Sequence, residues 1–217
     1  MEKIILVGCG QHANVVLYNI KEQKKYDVVG YFDSDDKKIG LNFNGLEVIE
    51  NYQKCDLKQM IRKYNTNKFF LSFGNMKYRK IVYEEFINAG WQAVNIFHPD
   101  AIISKDAIIG RGVLIEAGCL VTPNPIIGDN VVINTGSQVN HDNIINNHVY
   151  IASGVILSGG VIIGENTLID DGVIVTLGKR IERDCIIGAG SVVTKDIQEN
   201  VIAYGNPVKI IRNNINI

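Results

Sequence analysis

The hydrophobic pattern changes period once along the chain, near residue 97. Before that point short apolar runs alternate with segments whose apolar residues recur at helical spacing, which is the pattern of βαβ units on a parallel sheet. Residues 4–7 read as a buried strand. A glycine turn follows, then an amphipathic helix over residues 13–23 with Val16, Leu17 and Ile20 on one face. Strands are expected at 28–32, 46–49, 69–73 and 93–97, and helices at 57–64 and 78–89. Residues 1–97 therefore form a Rossmann-like α/β half domain, too short for the second mononucleotide-binding half of a full dinucleotide fold.

Beyond residue 97 the period becomes six. Counting in sixes from Ile103 to Val193 gives sixteen positions, and every one is Ile, Leu or Val. Those three types fill 35 of the 91 positions in the window, so a perfect run in any phase has a chance of roughly one in a million. An internal repeat is the reading that remains. Positions two before each step are mostly small or β-branched (Ala107, Val113, Cys119, Val131, Ser137). Positions three after it are mostly Gly, Asn or Asp, which tolerate a left-handed turn (Gly112, Gly118, Asn124, Asn130). A six-residue period predicts flat strands joined by tight corners, three to a coil, with one aliphatic side chain per face pointing inward. Residues 98–217 thus form an all-β parallel β-helix of a little over five coils.

Composition agrees and excludes some classes. The 21 glycines and 4 prolines suit tight corners, and the formal net charge of −1 argues against a surface for polyanions such as nucleic acid. Cys9, Cys55, Cys119 and Cys185 show neither a C-x-x-C pair nor zinc spacing, so no disulfide framework and no metal are expected. The N-terminus lacks the apolar core of a signal peptide, and no apolar stretch approaches about 20 residues, so a soluble cytoplasmic protein is expected.

Two places carry candidate chemistry. His141, two residues after inward-facing Val139, lies at an exposed corner with Asp142 beside it. An imidazole suits general-base work near neutral pH, and a carboxylate can fix its tautomer. His148 reads as a solvated surface residue. In the first domain Gly8-x-Gly10-x-x-Ala13 follows a strand, opens a helix and is trailed by Asp33, which meets the dinucleotide fingerprint. Its physical content is a phosphate or ribose near a helix N-terminus. His12 has the plainer alternative of a helix-capping residue.

The chain resembles two-domain sugar acetyltransferases of the left-handed β-helix type, the sialic acid O-acetyltransferase and the bacillosamine and perosamine N-acetyltransferase families. The resemblance rests on Gly8-Cys9-Gly10-Gln11-His12, Asp33-Ser34-Asp35-Asp36, Gly74-Asn75 with Arg79, His98-Pro99-Asp100-Ala101, Asn140-His141-Asp142 and Gly205-Asn206-Pro207-Val208-Lys209. It implies acetyl transfer from acetyl-CoA to the amino group of a nucleotide-linked 4-amino-4,6-dideoxyhexose, with sugar O-acetylation as the alternative. It implies His141 as general base with Asp142 as its partner, and the backbone N–H of Gly159 facing the thioester carbonyl. Gly159, Gly160, Ala189, Lys195 and Lys209 would meet coenzyme A, with Lys179, Arg180 and Arg212 as further cations. Gly8, Gly10, His12, Asp33 and Asp35 would meet the nucleotide sugar, and the assembly would be a homotrimer. The chain departs from its relatives where a second histidine often stands: that position is Tyr150.

Overall fold

The computed structural model describes residues 1–215, which divide into two compact units, Met1–Ile96 and a second that begins at Phe97. No helix among the described residues is long and apolar enough to cross a membrane.

The first unit is a six-stranded sheet with helices. Its elements are β1 (Glu2–Val7), α1 (Gln11–Gln23), β2 (Tyr26–Asp33), β3 (Asn42–Phe43), β4 (Leu46–Asn51), α2 (Leu57–Tyr64), β5 (Lys68–Leu71), α3 (Met76–Asn88) and β6 (Gln92–Ala93). The strand order is β3-β4-β2-β1-β5-β6, parallel except for the β3–β4 hairpin. The chain moves to one side of β1 and then to the other. Such a sheet opens a crevice at the carboxyl ends of its central strands. Ile4 to Val7 are fully buried, as the unbroken apolar run required. The helices begin earlier than their apolar pattern because the start is set by the cap. Asn75 accepts from Lys77 N–H, so α3 begins at Met76, and α1 begins immediately after Gly10. The expected strand at 93–97 is two short strands, Gln92–Ala93 and Ile96–Phe97. The hairpin was not expected from apolar pattern, yet its Asn44-Gly45 turn, with φ of 53° and 84°, is the dipeptide that tight hairpins favour. Phe32, Phe69, Phe86 and Trp91 form one aromatic cluster, with Phe32 and Trp91 edge to face and the tilted rings of Phe69 and Phe86 4.8 Å apart between centroids. The fully buried Arg79 donates through Nη1 to the carbonyls of Leu71 (3.1 Å) and Phe73 (2.7 Å), closing the end of β5.

The second unit is a parallel β-helix of two-residue strands. Its first face runs from Ile96–Phe97 through Leu114–Ile115 to Ile186–Ile187, its second from Ile102–Ile103 to Val192–Val193 and its third from Ile108–Ile109 to Arg180–Ile181. Each strand pairs with the strand 18 residues away, for example Gln138 with Ile156 and Val139 with Leu157. All the hexad aliphatics are buried apart from Ile103 and Ile109, which are half-buried in the first coil. Burying each stabilises the unit by about 1.5–3 kcal/mol. The antiparallel pair Val201–Tyr204 and Lys209–Asn213 closes the last coil.

Two expectations are corrected here. Each face turns two residues inward, not one, because the position two before each aliphatic also faces the core. Where that position is polar it ties the next coil: Ser137 Oγ donates to Ala152 O (2.7 Å) and accepts Val155 N–H (3.2 Å), and Thr167 does the same for Glu182 and Cys185. His148 is not solvated. It is 6% exposed, sits at φ 61°, and its Nδ1 lies 2.9 Å from Nδ2 of Asn130. Coil closure stacks it in one column of left-handed corner residues with Asn130, Asn166 and Asp184.

Candidate active site

His141 stands at the edge between the second and third faces, and its ring is exposed. Nδ1 lies 2.8 Å from Asp142 Oδ2. A carboxylate only accepts, so Nδ1 carries the proton and Nε2 keeps its lone pair. Asp142 sits in the left-handed region at φ 58°, which brings its carboxylate back beside the preceding side chain. Its other oxygen accepts from Asn124 Nδ2 at 3.3 Å, 18 residues earlier and one coil below. The bond from His141, then that from Asn124, hold the Asp142 carboxyl below the usual carboxylate range.

One coil above His141 lies Gly159. A Cβ there would fall 2.3 Å from His141 Nε2 and 2.4 Å from Cε1, so only glycine lets the imidazole lie over this backbone. Gly160 N–H donates to the His141 carbonyl at 2.9 Å, fixing the two corners to each other. Asn140 and Asn143 flank the His-Asp pair and reach upward. Asn140 Nδ2 donates to Leu157 O (2.8 Å), and buried Asn143 accepts Val161 N–H at 2.7 Å, so the Ser158-Gly159-Gly160 corner is held from both sides. Among the described residues no acceptor in the chain takes the Gly159 N–H. The geometry therefore sets a base directly against a glycine backbone whose N–H no acceptor of the chain takes. These are the parts that acyl transfer needs.

Sequence reasoning singled out His141, Asp142 and Gly159 but passed over Asn124 and Asn143. Counting one coil down from Asp142 finds Asn124, and an amide at an inward hexad position marks Asn143. Of the residues expected to meet coenzyme A, Gly160 and Lys195 lie on the edge that holds His141, with Lys195 exposed. Ala189 is exposed on a different edge, between the first and second faces, and Lys209 is exposed in the closing hairpin. Lys179 takes an inward position and is half-buried.

In the first unit a cavity of about 450 Å³ opens at the carboxyl ends of β1 and β2, lined by Gly8, Gly10, Asp33, Lys38, Tyr52 and Phe73 among others. Gly8 is required twice over: its φ is 97°, and a Cβ would come within 2.8 Å of Phe73. Asp33 is 5% exposed and already engaged, accepting from Cys9 N–H and Cys9 Sγ (both 3.0 Å), Asp35 N–H (3.0 Å) and Lys38 Nζ (3.1 Å). Burial opposes its ionisation, yet these donors hold it below the usual range. Burial, with the Asp33 charge, pushes the Cys9 thiol up to about 12. Asp35 and His12 do not line the cavity. Asp35 caps the turn Asp36–Lys38, accepting Lys37 N–H at 3.0 Å. His12 lies in the first turn of α1, where burial and then the Arg79 charge lower its pKa to about 4, so it is neutral at physiological pH.

Residues 3–86 match the family model of the PglD N-terminal domain. The structure superposes with a TM-score of 0.90 on the H141A mutant of GDP-perosamine N-acetyl transferase from Caulobacter crescentus, determined in complex with CoA and GDP-perosamine; identity is 29%, covering 98% of this chain and 98% of that one. The acetyltransferase domain of PglB from Neisseria gonorrhoeae FA1090, in complex with acetyl coenzyme A, gives 0.85 at 28% identity over 97% of this chain and 99% of its own. WeeI from Acinetobacter baumannii AYE shares the fold, with a TM-score of 0.79 at 23% identity over 97% of this chain and 100% of its own. No curated protein matches the chain. These likenesses bear out the resemblance read from the motifs and the fold class that went with it, a Rossmann-like unit followed by a left-handed β-helix of the sugar acetyltransferase type.

Proposed function

We propose that this chain is an acetyl-CoA-dependent sugar N-acetyltransferase, moving an acetyl group to the amino group of a nucleotide-linked 4-amino-4,6-dideoxyhexose. The observation that carries the reading is one juxtaposition: His141, its Nδ1 held by Asp142, lies with Nε2 over the backbone of Gly159 in the next coil. Relatives at 28–29% identity bind CoA with GDP-perosamine or acetyl coenzyme A, which supplies the substrate class.

Acetyl-CoA is a co-substrate, and the residues present suit it. With no side chain on Gly159, the thioester carbonyl approaches the Gly159 N–H from beside the imidazole, and Lys195 and Lys209 meet its phosphates by charge-assisted contacts. As the sugar amine attacks the thioester carbon, His141 Nε2 takes the amine proton. Asp142 stabilises the imidazolium and keeps its orientation. Negative charge gathers on the carbonyl oxygen and is met by the Gly159 N–H. The carbon–sulfur bond then breaks, and the proton on Nε2 passes to the departing thiolate, which leaves as free coenzyme A. Transfer is direct, with no acyl-enzyme.

The first unit holds the nucleotide, with Gly8 and Gly10 giving the diphosphate close access to the start of α1. Asp33 orders this cavity through its bonds from Cys9, Asp35 N–H and Lys38. The catalytic unit works as a homotrimer in the cytoplasm. Ile108, Ile126 and Ile144 form an exposed column on the third face, and Ile102 and Ile174 are exposed on the second. These are the two faces that meet at His141, so a neighbouring copy covering them would enclose the catalytic edge.

A panel of GDP-, UDP- and dTDP-linked 4-amino sugars incubated with acetyl-CoA tests the reading. Release of free thiol with an amino sugar supports it. Release only with a free sialic acid or another sugar hydroxyl replaces it with O-transfer.

A further inference from the structure

At three corners of the β-helix, the residue two after an inward aliphatic gives its backbone N–H to a side chain of the next coil. In these three the acceptor stands 18 residues on. Arg111 N–H donates to Asp129 Oδ1 (2.7 Å), Asp129 N–H to Asn147 Oδ1 (2.8 Å) and Ser153 N–H to Asp171 Oδ1 (3.0 Å). Among the described residues these are the pairs of this register that carry Asp or Asn in the upper place, and in each the side chain takes the N–H. Capping is thus the local outcome where Asp or Asn stands in the upper place, as expected for a strong donor at a tight corner.

Gly159 occupies the same register, two residues after Leu157. The place above it holds Leu177, 68% exposed and without any acceptor. Asp or Asn there would have the reach that the three capped corners display. An N–H that is to meet a developing oxyanion has to be kept from an intramolecular partner beforehand.

We propose that Leu177 is a positioning residue for acyl transfer: it denies the Gly159 N–H an acceptor from its own chain and so keeps it available for the carbonyl oxygen of the acyl donor. The inference rests on the reading of Gly159 as the oxyanion donor, and it extends that reading to a residue with no reactive group.

The test is Leu177→Asn beside Leu177→Ala in the full-length protein, with kcat, KM and hydrogen–deuterium exchange at the Gly159 amide measured for each. Asn is neutral, so charge repulsion of coenzyme A is not a competing cause. Expected for Leu177→Asn are a fall in kcat of about 10²-fold, the usual effect of losing one oxyanion donor, and slower exchange at Gly159. KM for the nucleotide sugar stays within about threefold of wild type, and Leu177→Ala is at least about tenfold more active than Leu177→Asn. A Leu177→Asn enzyme with kcat within about threefold of wild type, or a Leu177→Ala enzyme equally impaired, overturns the proposal. Should the wild type transfer acetyl to no amino sugar, the proposed function fails by itself. The Gly159 exchange then decides the role of Leu177: slower in Leu177→Asn supports it, and unchanged refutes it.

Discussion

At the scale of single residues the decisive relation is between His141 and Asp142. Because the His141 bond and then Asn124 hold the Asp142 carboxyl below the usual range, it remains ionised wherever imidazole catalysis operates. Asp142→Asn removes the counter-charge and permits the wrong tautomer. The pair is exposed, so the loss should be smaller than in a buried triad, about 10–100-fold in kcat with KM for acetyl-CoA little changed. Steady-state kinetics on the purified variant checks this. His12 gives a different kind of test. Its folded pKa of about 4 lies below the ordinary histidine value of 6.5, so the unfolded chain binds the extra proton between those values. Stability is therefore present in full above about pH 6.5 and is lost as pH falls toward 4, by on the order of 3 kcal/mol. Urea unfolding at pH 7 and pH 5 should show a smaller acid loss in His12→Gln than in wild type. Both histidines were visible in the sequence as candidates. What separated them was surroundings: His141 stands on an open corner, whereas His12 is largely buried and feels the charge of Arg79, a long-range neighbour that no local pattern announces.

At the scale of elements, the hexad was legible because every sixth residue faces the core whatever lies around it. The start of α3 was less so, since Asn75 recruits two residues that the apolar pattern leaves out. His148 was misjudged for a related reason. Its place follows from the residue one coil below, Asn130, and not from its distance along the chain to His141. The same arithmetic of 18 residues would have found Asn124 beneath Asp142. The column in which His148 stands is structural, so His148→Ala should lower stability by about 1–3 kcal/mol by leaving the buried Asn130 amide without this partner. His148→Asn, which repeats the residue found at 130 and 166, should lose less. Chemical denaturation of the two variants decides between them, and kcat should be unaltered in both.

At the scale of the whole molecule, the two exposed apolar faces that meet at His141 call for a partner, and three copies of one chain supply it. Lysine at Ile126 and Ile144 together places two charges in that contact. Light scattering should then report a monomer, with acetyl transfer lost although far-ultraviolet circular dichroism is unchanged; a trimer that persists with full activity would show that these faces do not form the interface. The central claim is chemical, and mass spectrometry of the sugar product tests it most directly. Wild-type protein with acetyl-CoA and a nucleotide-linked 4-amino-4,6-dideoxyhexose should yield the sugar carrying one acetyl group on its amine, while His141→Ala should bind coenzyme A yet form that product at least about 10²-fold more slowly. An N-acetylated product formed at the wild-type rate by His141→Ala, or none formed by the wild type with any amino sugar, would contradict it.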